Sequence, residues 1–85
     1  MNDSSFTITL KINHALEQFV PKRLINREMN ITVKENATID FLLEEIVGLS
    51  KKVITLIFVN GKHAMPKDKL NRGDRVTLWM PMAGG

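Results

Sequence analysis

Residues 53–64 read VITLIFVNGKHA, and they contain the strand and the turn around which the predicted sheet is built. Its first seven residues are β-branched, aliphatic or aromatic, which predicts a central strand rather than an edge strand. Asn60-Gly61 follows directly, and this dipeptide tolerates the two positive φ angles of a type I′ turn. The strand is therefore expected to turn back through Lys62–Ala64 as a short hairpin.

Three further strands are predicted on either side of this hairpin in the sequence. Apolar and polar side chains alternate over Phe6–Ile12 and over Met29–Val33, the period-2 pattern of a strand with one buried face. A last alternating strand spans residues 75–80, and Pro81 ends its pairing because proline has no N–H to donate. Residues 14–27 are less regular and are expected to form an ordered loop.

One helix is predicted between the second strand and the hairpin. Apolar side chains at three- and four-residue spacing make one stripe, formed by Ile39, Leu42, Leu43, Ile46 and Leu49. Thr38 can cap the first turn, and Asp40 suits the positive end of the helix dipole. Gly48 is the natural end of the helix, and Lys51 and Lys52 place positive charge near its carbonyl end.

The order of these elements predicts an α+β domain with one mixed sheet packed on one main helix. Neighbouring hairpins supply antiparallel pairs, and a parallel contact between the first and last strands closes the middle of the sheet. This is the β-grasp arrangement. We expect a single domain over residues 1–85, with a flexible C-terminal tail at residues 81–85.

Composition excludes several kinds of chemistry. The 85 residues include no cysteine, which excludes disulfides, thiolate metal sites and cysteine nucleophiles. Phosphate-cradling glycine motifs and a nucleophile elbow are missing, and His14 and His63 lie in separate predicted segments, so neither catalysis nor a metal site is expected. The polar start is unlike a secretory signal and no apolar run approaches a membrane helix, which predicts a cytoplasmic protein without membrane contact.

The net charge of +3 arises in the second half of the chain. Residues 41–85 carry seven basic and four acidic side chains, whereas residues 1–40 carry five of each. The basic side chains of the second half are Lys51, Lys52, Lys62, Lys67, Lys69, Arg72 and Arg75. They form either a solvated surface or a face for nucleic acid or an acidic partner, although no aromatic residues interleave with them for base stacking.

The C-terminal tail carries the most specific chemical signal. The chain ends in Gly84-Gly85 directly after the last strand and Pro81. A terminal carboxylate becomes a good electrophile only when its oxygen is joined to a leaving group such as AMP, so a partner must supply ATP. Glycines suit this chemistry because a chain without Cβ atoms passes through a narrow channel. The alternative is a frayed terminus without function.

Three motifs give the chain a resemblance to a known family, and the resemblance covers essentially its full length. Residues 58–61 (FVNG), residues 71–76 (NRGDRV) and residues 80–85 (MPMAGG) occur in an order and spacing similar to the MoaD/ThiS sulfur carriers, which are ubiquitin-like β-grasp proteins. The resemblance implies that an E1-like enzyme adenylates the Gly85 carboxylate with ATP. Sulfur from a persulfide then displaces AMP, and the thiocarboxylate donates sulfur to a biosynthetic enzyme.

The resemblance also implies partners. The chain would be a protein substrate or a small non-catalytic subunit that binds no cofactor itself, with Met82, Ala83 and Gly84 inside the channel of the activating enzyme. The sulfur acceptor would be the large subunit of molybdopterin synthase, which the long connection of residues 14–27 favours, or thiazole synthase, which the compact link after the helix favours. Tungsten-cofactor synthesis, tRNA thiolation and ubiquitin-like conjugation stay open.

Members of that family dock through the exposed sheet face near the last strand. Alternation predicts that Arg75, Thr77 and Trp79 point outward, and Trp79 is the expected hot spot, with packing under the 14–27 loop as the alternative. Lys11 and His63 are assigned to the same face, where relatives often carry apolar residues. The rival functions are RNA binding through the basic second half, as in the TGS-like β-grasp modules, and docking without tail chemistry.

Overall fold

The computed structural model describes residues 4–25, 27–49, 53 and 55–81, and places five strands in one mixed sheet. The strands are β1 (Ser5–Ile12), β2 (Glu28–Lys34), β3 (Leu56–Val59), β4 (Lys62–Ala64) and β5 (Arg75–Trp79). Their order across the sheet is β2-β1-β5-β3-β4. β1 and β5 pair in parallel at the centre, and the other three pairs are antiparallel, which confirms the predicted β-grasp topology.

The predicted central strand and its turn are both present. β3 lies between β5 and β4 and so has a neighbour on each side, although it begins at Leu56 rather than Val53. The φ angles are +55° at Asn60 and +82° at Gly61, as a type I′ turn requires.

The hydrophobic core fills the space between one face of the sheet and the helical segment. The largest side chains that are almost fully buried are Ile8, Leu10, Ile12, Leu16, Ile39, Leu42, Ile57, Val76 and Leu78. The 14–27 connection contributes to this core through Leu16 and Val20, and two short 3₁₀ helices, His14–Leu16 and Lys22–Leu24, order it. The expectation of an ordered loop is therefore confirmed for its described residues.

The helical segment begins as predicted but winds differently. Thr38 accepts a hydrogen bond from the Phe41 N–H at 3.2 Å and caps α1 (Ile39–Phe41), which continues as a π-helix over Leu42–Val47. Gly48, at a φ of +82°, ends it, and its N–H donates to the Leu43 carbonyl. Lys51 and Lys52 lie outside the described residues. The segment is too short to cross a membrane, and no other described helix is long and apolar enough to do so.

The π winding corrects one predicted core position. Ile46, assigned to the buried stripe, is 37% exposed, whereas Val47 is 7% exposed and belongs to the core. Hydrogen bonds from residue i+5 add about one residue to each turn, so the residue below Leu42 is Val47 and not Ile46.

This difference gives a prediction for stability. Val47→Ala should lower the free energy of unfolding by about 1.6 kcal/mol, because two buried methylene equivalents are lost at ~0.8 kcal/mol each. Ile46→Ala should cost less than half as much, since the side chain is partly in water and alanine favours the helix. Urea denaturation of both variants measures the difference. A larger cost at Ile46 would show that the segment is a regular α-helix.

Candidate docking face and C-terminal tail

The face of the sheet opposite the helix, here called the outer face, carries one row of side chains that crosses all five strands. Strand register aligns the row as Glu28 on β2, Lys11 on β1, Thr77 on β5, Phe58 on β3 and His63 on β4. All five side chains are exposed or half-buried. The structure therefore brings three of the predicted docking residues, Lys11, Thr77 and His63, into a single line.

An apolar groove lies beside this row, where β5 ends. It has a volume of about 590 Å³ and is lined by Leu56, Phe58, Gly61, Thr77, Trp79, Met80 and Pro81. Trp79 is the Cα partner of Leu56 and is 43% exposed, so it presents a large apolar surface as the alternation predicted. We call this feature the Trp79 groove.

Two residues of the groove, Leu56 and Phe58, escaped prediction from the sequence. The run from Val53 to Val59 is apolar almost throughout, so it has no alternation to show which side chains face outward. The antiparallel register with β5 supplies that information, because Leu56 pairs with Trp79 and Phe58 pairs with Thr77. A rule that pairs strands before assigning faces would have found both.

The charged part of the outer face is arranged across three strands. The Arg75 guanidinium on β5 donates to the Glu28 carboxylate on β2 at 2.7 Å, and the contact spans β1. Arg75 thus points outward as predicted, whereas its pairing with Glu28 was not predicted from the sequence. At the other end of the row, the His63 ring meets Phe58 edge-on, with 6.0 Å between centroids and 71° between ring planes.

Two motifs that are separate in the sequence form one hydrogen-bonded clamp at the start of β5. The Asp74 side chain, which is 6% exposed, accepts from the Asn60 side-chain amide at 3.0 Å and from the Asn71 backbone N–H at 2.8 Å. The Asn60 side-chain oxygen accepts from the Arg75 backbone N–H at 3.0 Å. The clamp joins the β3–β4 turn to the start of β5, and β3 and β5 are the strands whose side chains line the groove.

The tail leaves the sheet at the groove. β5 pairs with β1 on one side and β3 on the other, and Met80 and Pro81 continue from it along the groove wall. The predicted tail residues Met82, Ala83, Gly84 and Gly85 lie outside the described residues. A partner seated in the groove would nevertheless sit beside the point from which the last four residues continue.

The described basic residues of the second half are divided among different surroundings. Lys67 lines a cavity of about 390 Å³ beside the helix, together with Asp40. Lys69 and Arg72 line another cavity, in which the Arg72 guanidinium lies 6.0 Å from the centroid of the Phe6 ring. Arg75 is paired with Glu28 on the outer face, so these four cations lie in three different surroundings. Within the described ranges no cluster of three His, Asp or Glu side chains is placed to hold a metal ion.

The sheet order, the main helical segment and the central position of the last strand define a ubiquitin-like β-grasp protein. The model of the Mut7-C ubiquitin family matches residues 5–83, and the chain belongs to this family. The family is ubiquitin-like, which confirms the predicted resemblance at that level. No curated protein matches the chain.

Solved structures of archaeal proteins share the fold. SAMP1 from Haloferax volcanii is 20% identical, with a TM-score of 0.68 over 93% of this chain and 99% of that one. The HVO 2177 protein of Haloferax volcanii is 20% identical, with a TM-score of 0.73 over 100% of this chain and 92% of that one. A structure of H. volcanii small archaeal modifier protein 1 is 16% identical, with a TM-score of 0.64 over 91% and 99% of the two chains. At these identities the likeness concerns the fold.

Proposed function

We propose that this chain is a ubiquitin-like sulfur carrier whose Gly85 carboxylate is activated by an E1-like enzyme. The observation that carries the proposal is the position of β5: the strand is held on both sides at the centre of the sheet and leads past an apolar groove into a tail whose sequence ends in Gly-Gly. Membership of a ubiquitin-like family supports the same function.

The proposed reaction uses the chain as a substrate. The Gly85 carboxylate oxygen attacks the α-phosphorus of ATP and releases pyrophosphate, which leaves an acyl adenylate. A persulfide of a partner attacks the acyl carbon and displaces AMP, and a thiol then reduces the acyl disulfide to leave a thiocarboxylate. The carrier supplies the positioned chain end, and Gly84 leaves room for the nucleotide because it has no Cβ.

The proposed acceptor is an enzyme of cofactor biosynthesis, either the large subunit of molybdopterin synthase or thiazole synthase. Both the activating and the accepting enzyme would dock on the Trp79 groove, since the groove lies where the tail begins. The described residues supply the docking surface in this scheme and no catalytic group.

Intact-mass measurement of the natively expressed protein tests the proposal. A population heavier by the difference between one sulfur and one oxygen, and lost on alkylation of the thiocarboxylate, is the expected result. An unmodified terminus in cells, together with no ATP–pyrophosphate exchange with the cognate E1-like enzyme, would overturn it. An isopeptide bond from Gly85 to lysines of other proteins would replace sulfur transfer with conjugation.

Trp79→Ala should weaken the binding of the activating enzyme by about 2 kcal/mol, because a large exposed aromatic side chain that lines an apolar groove is a typical hot spot. Titration calorimetry measures the affinity. Phe41→Ala is the matched control, since Phe41 is 47% exposed but lies on the helix. If Trp79→Ala unfolds the protein without a separable binding defect, Trp79 has a packing role instead.

A further inference from the structure

Lys11 places a positive charge near the middle of the outer face. The strand register places it between Glu28 on β2 and Thr77 on β5. Its side chain is exposed, and no hydrogen bond or ion pair joins it to the described part of the chain. Beyond Thr77 in the same row lies Phe58, which lines the Trp79 groove. A positive charge therefore stands at the rim of an apolar surface.

The reason Lys11 is unpaired lies in the competition for Glu28. Opposite charges directly across a strand pair attract each other, so Lys11 is the expected partner of Glu28. Instead, the Arg75 guanidinium extends across β1 and forms a salt bridge with the Glu28 carboxylate at 2.7 Å. Both side chains are more than half exposed, at 61% and 53%, so their pair adds little stability, but it engages the carboxylate that lies opposite Lys11 in the strand register.

We propose that the outer face selects a protein partner that inserts an apolar side chain into the Trp79 groove and places a carboxylate on Lys11. This inference rests on the proposed function, because the partner is the protein that docks where the tail begins. A partner that covers the groove removes water from the rim, and there a charge-assisted hydrogen bond gains strength. A partner with a cation in that place is repelled, so Lys11 acts as a specificity determinant.

A polyanion fits the same face poorly. Arg75 is already paired with Glu28. The other lysine that the strand register assigns to this face is Lys34, which lies six residues from Glu28 along β2. At a rise of ~3.3 Å per residue, the two positions are roughly 20 Å apart. Within the described part of this row, Lys11 is the one cation without a partner, and a single cation beside an apolar groove matches a single carboxylate next to an apolar side chain. Nucleic acid would need a series of cations along the row.

Two small probes that differ only in charge test the proposal on the full chain, without any activating enzyme. 2-Naphthylacetate and 2-naphthylacetamide are titrated against the protein, and binding is followed by NMR at the Trp79 indole and the Phe58 amide. The acid should bind roughly 1.4- to fivefold more tightly than the amide, the range measured for exposed ion pairs. Lys11→Met should remove this preference and leave the affinity for the amide unchanged.

Two further variants sharpen the result. Lys67→Met removes the same charge from the helix side of the molecule and should leave the preference intact. Glu28→Gln frees Arg75 as a second cation beside Lys11, so the preference for the acid should increase. The three variants together separate a local charge contact from a change in net charge.

Several results would overturn the proposal: equal binding of the two probes, a preference that survives Lys11→Met, no NMR shift at the groove with either probe, or an oligouridylate RNA that displaces the acid. Failure of the proposed function is a separate observation. A protein that shows the expected probe preference but is never adenylated keeps its docking chemistry and loses the assignment as a sulfur carrier.

Discussion

Deletion of Gly85 is expected to abolish adenylation by the E1-like partner and to leave the fold unchanged. The shortened chain still ends in a glycine carboxylate, that of Gly84, so the chemical group is preserved. Its position is not, because each residue of an extended chain spans about 3.3–3.6 Å and β5 holds the start of the tail in place. Misplacement of a reacting group by about 1 Å already costs 100-fold in rate, so a loss of at least that size is expected.

The measurement is ATP–pyrophosphate exchange with the cognate E1-like enzyme, with urea unfolding run on the same samples. The core is built from the sheet, the helical segment and the 14–27 connection, so the free energy of unfolding should stay within error. A chain lengthened by one glycine is a second test, since it displaces the carboxylate in the opposite direction and should also lose adenylation. Exchange at the wild-type rate after the deletion would show that Gly85 is not the activated residue.

Local patterns in the sequence predicted the strands, the turn and the caps, because each of these depends on neighbouring residues. Phe6–Ile12 alternates and forms a strand, Asn60-Gly61 adopts two positive φ angles, and Thr38 caps the helix. The parallel pairing of β1 with β5 also followed from the order of the elements.

The features that were missed depend on contacts between distant segments. Ile46 was predicted to be buried, but Val47 is the buried residue. The reason is that the π winding is a property of the whole segment and is not visible in the spacing of the apolar residues. The pair between Arg75 and Glu28 joins residues 47 positions apart, and only the sheet order reveals that β1 alone separates their strands. The candidate docking face was therefore identified in part from alternation, and its charge arrangement required the register.

Asp74→Ala is expected to lower the free energy of unfolding by about 3 kcal/mol. The substitution removes the acceptor for the Asn60 side-chain amide and for the Asn71 backbone N–H, and each hydrogen bond to a charged group contributes about 1.5–3 kcal/mol, with the exposed position of Asn60 reducing its share. The loss also weakens the attachment of the β3–β4 turn to β5, which then depends on the hydrogen bonds between Asn60 and Arg75. Since Phe58 and Thr77 face each other across those strands, the Trp79 groove should widen and bind partners less tightly.

Asp68→Ala is the matched control, because the Asp68 carboxylate also accepts a backbone hydrogen bond, from Met65 at 2.9 Å, but in an exposed position. It should cost about 1 kcal/mol or less, in the range of an ordinary hydrogen bond. A double-mutant cycle between Asn60→Ala and Asp74→Ala should give a positive coupling energy, since the two side chains contact each other directly. If Asp74→Ala costs no more than Asp68→Ala and the coupling vanishes, the two motifs are independent turns, and the alignment of the groove depends on strand pairing alone.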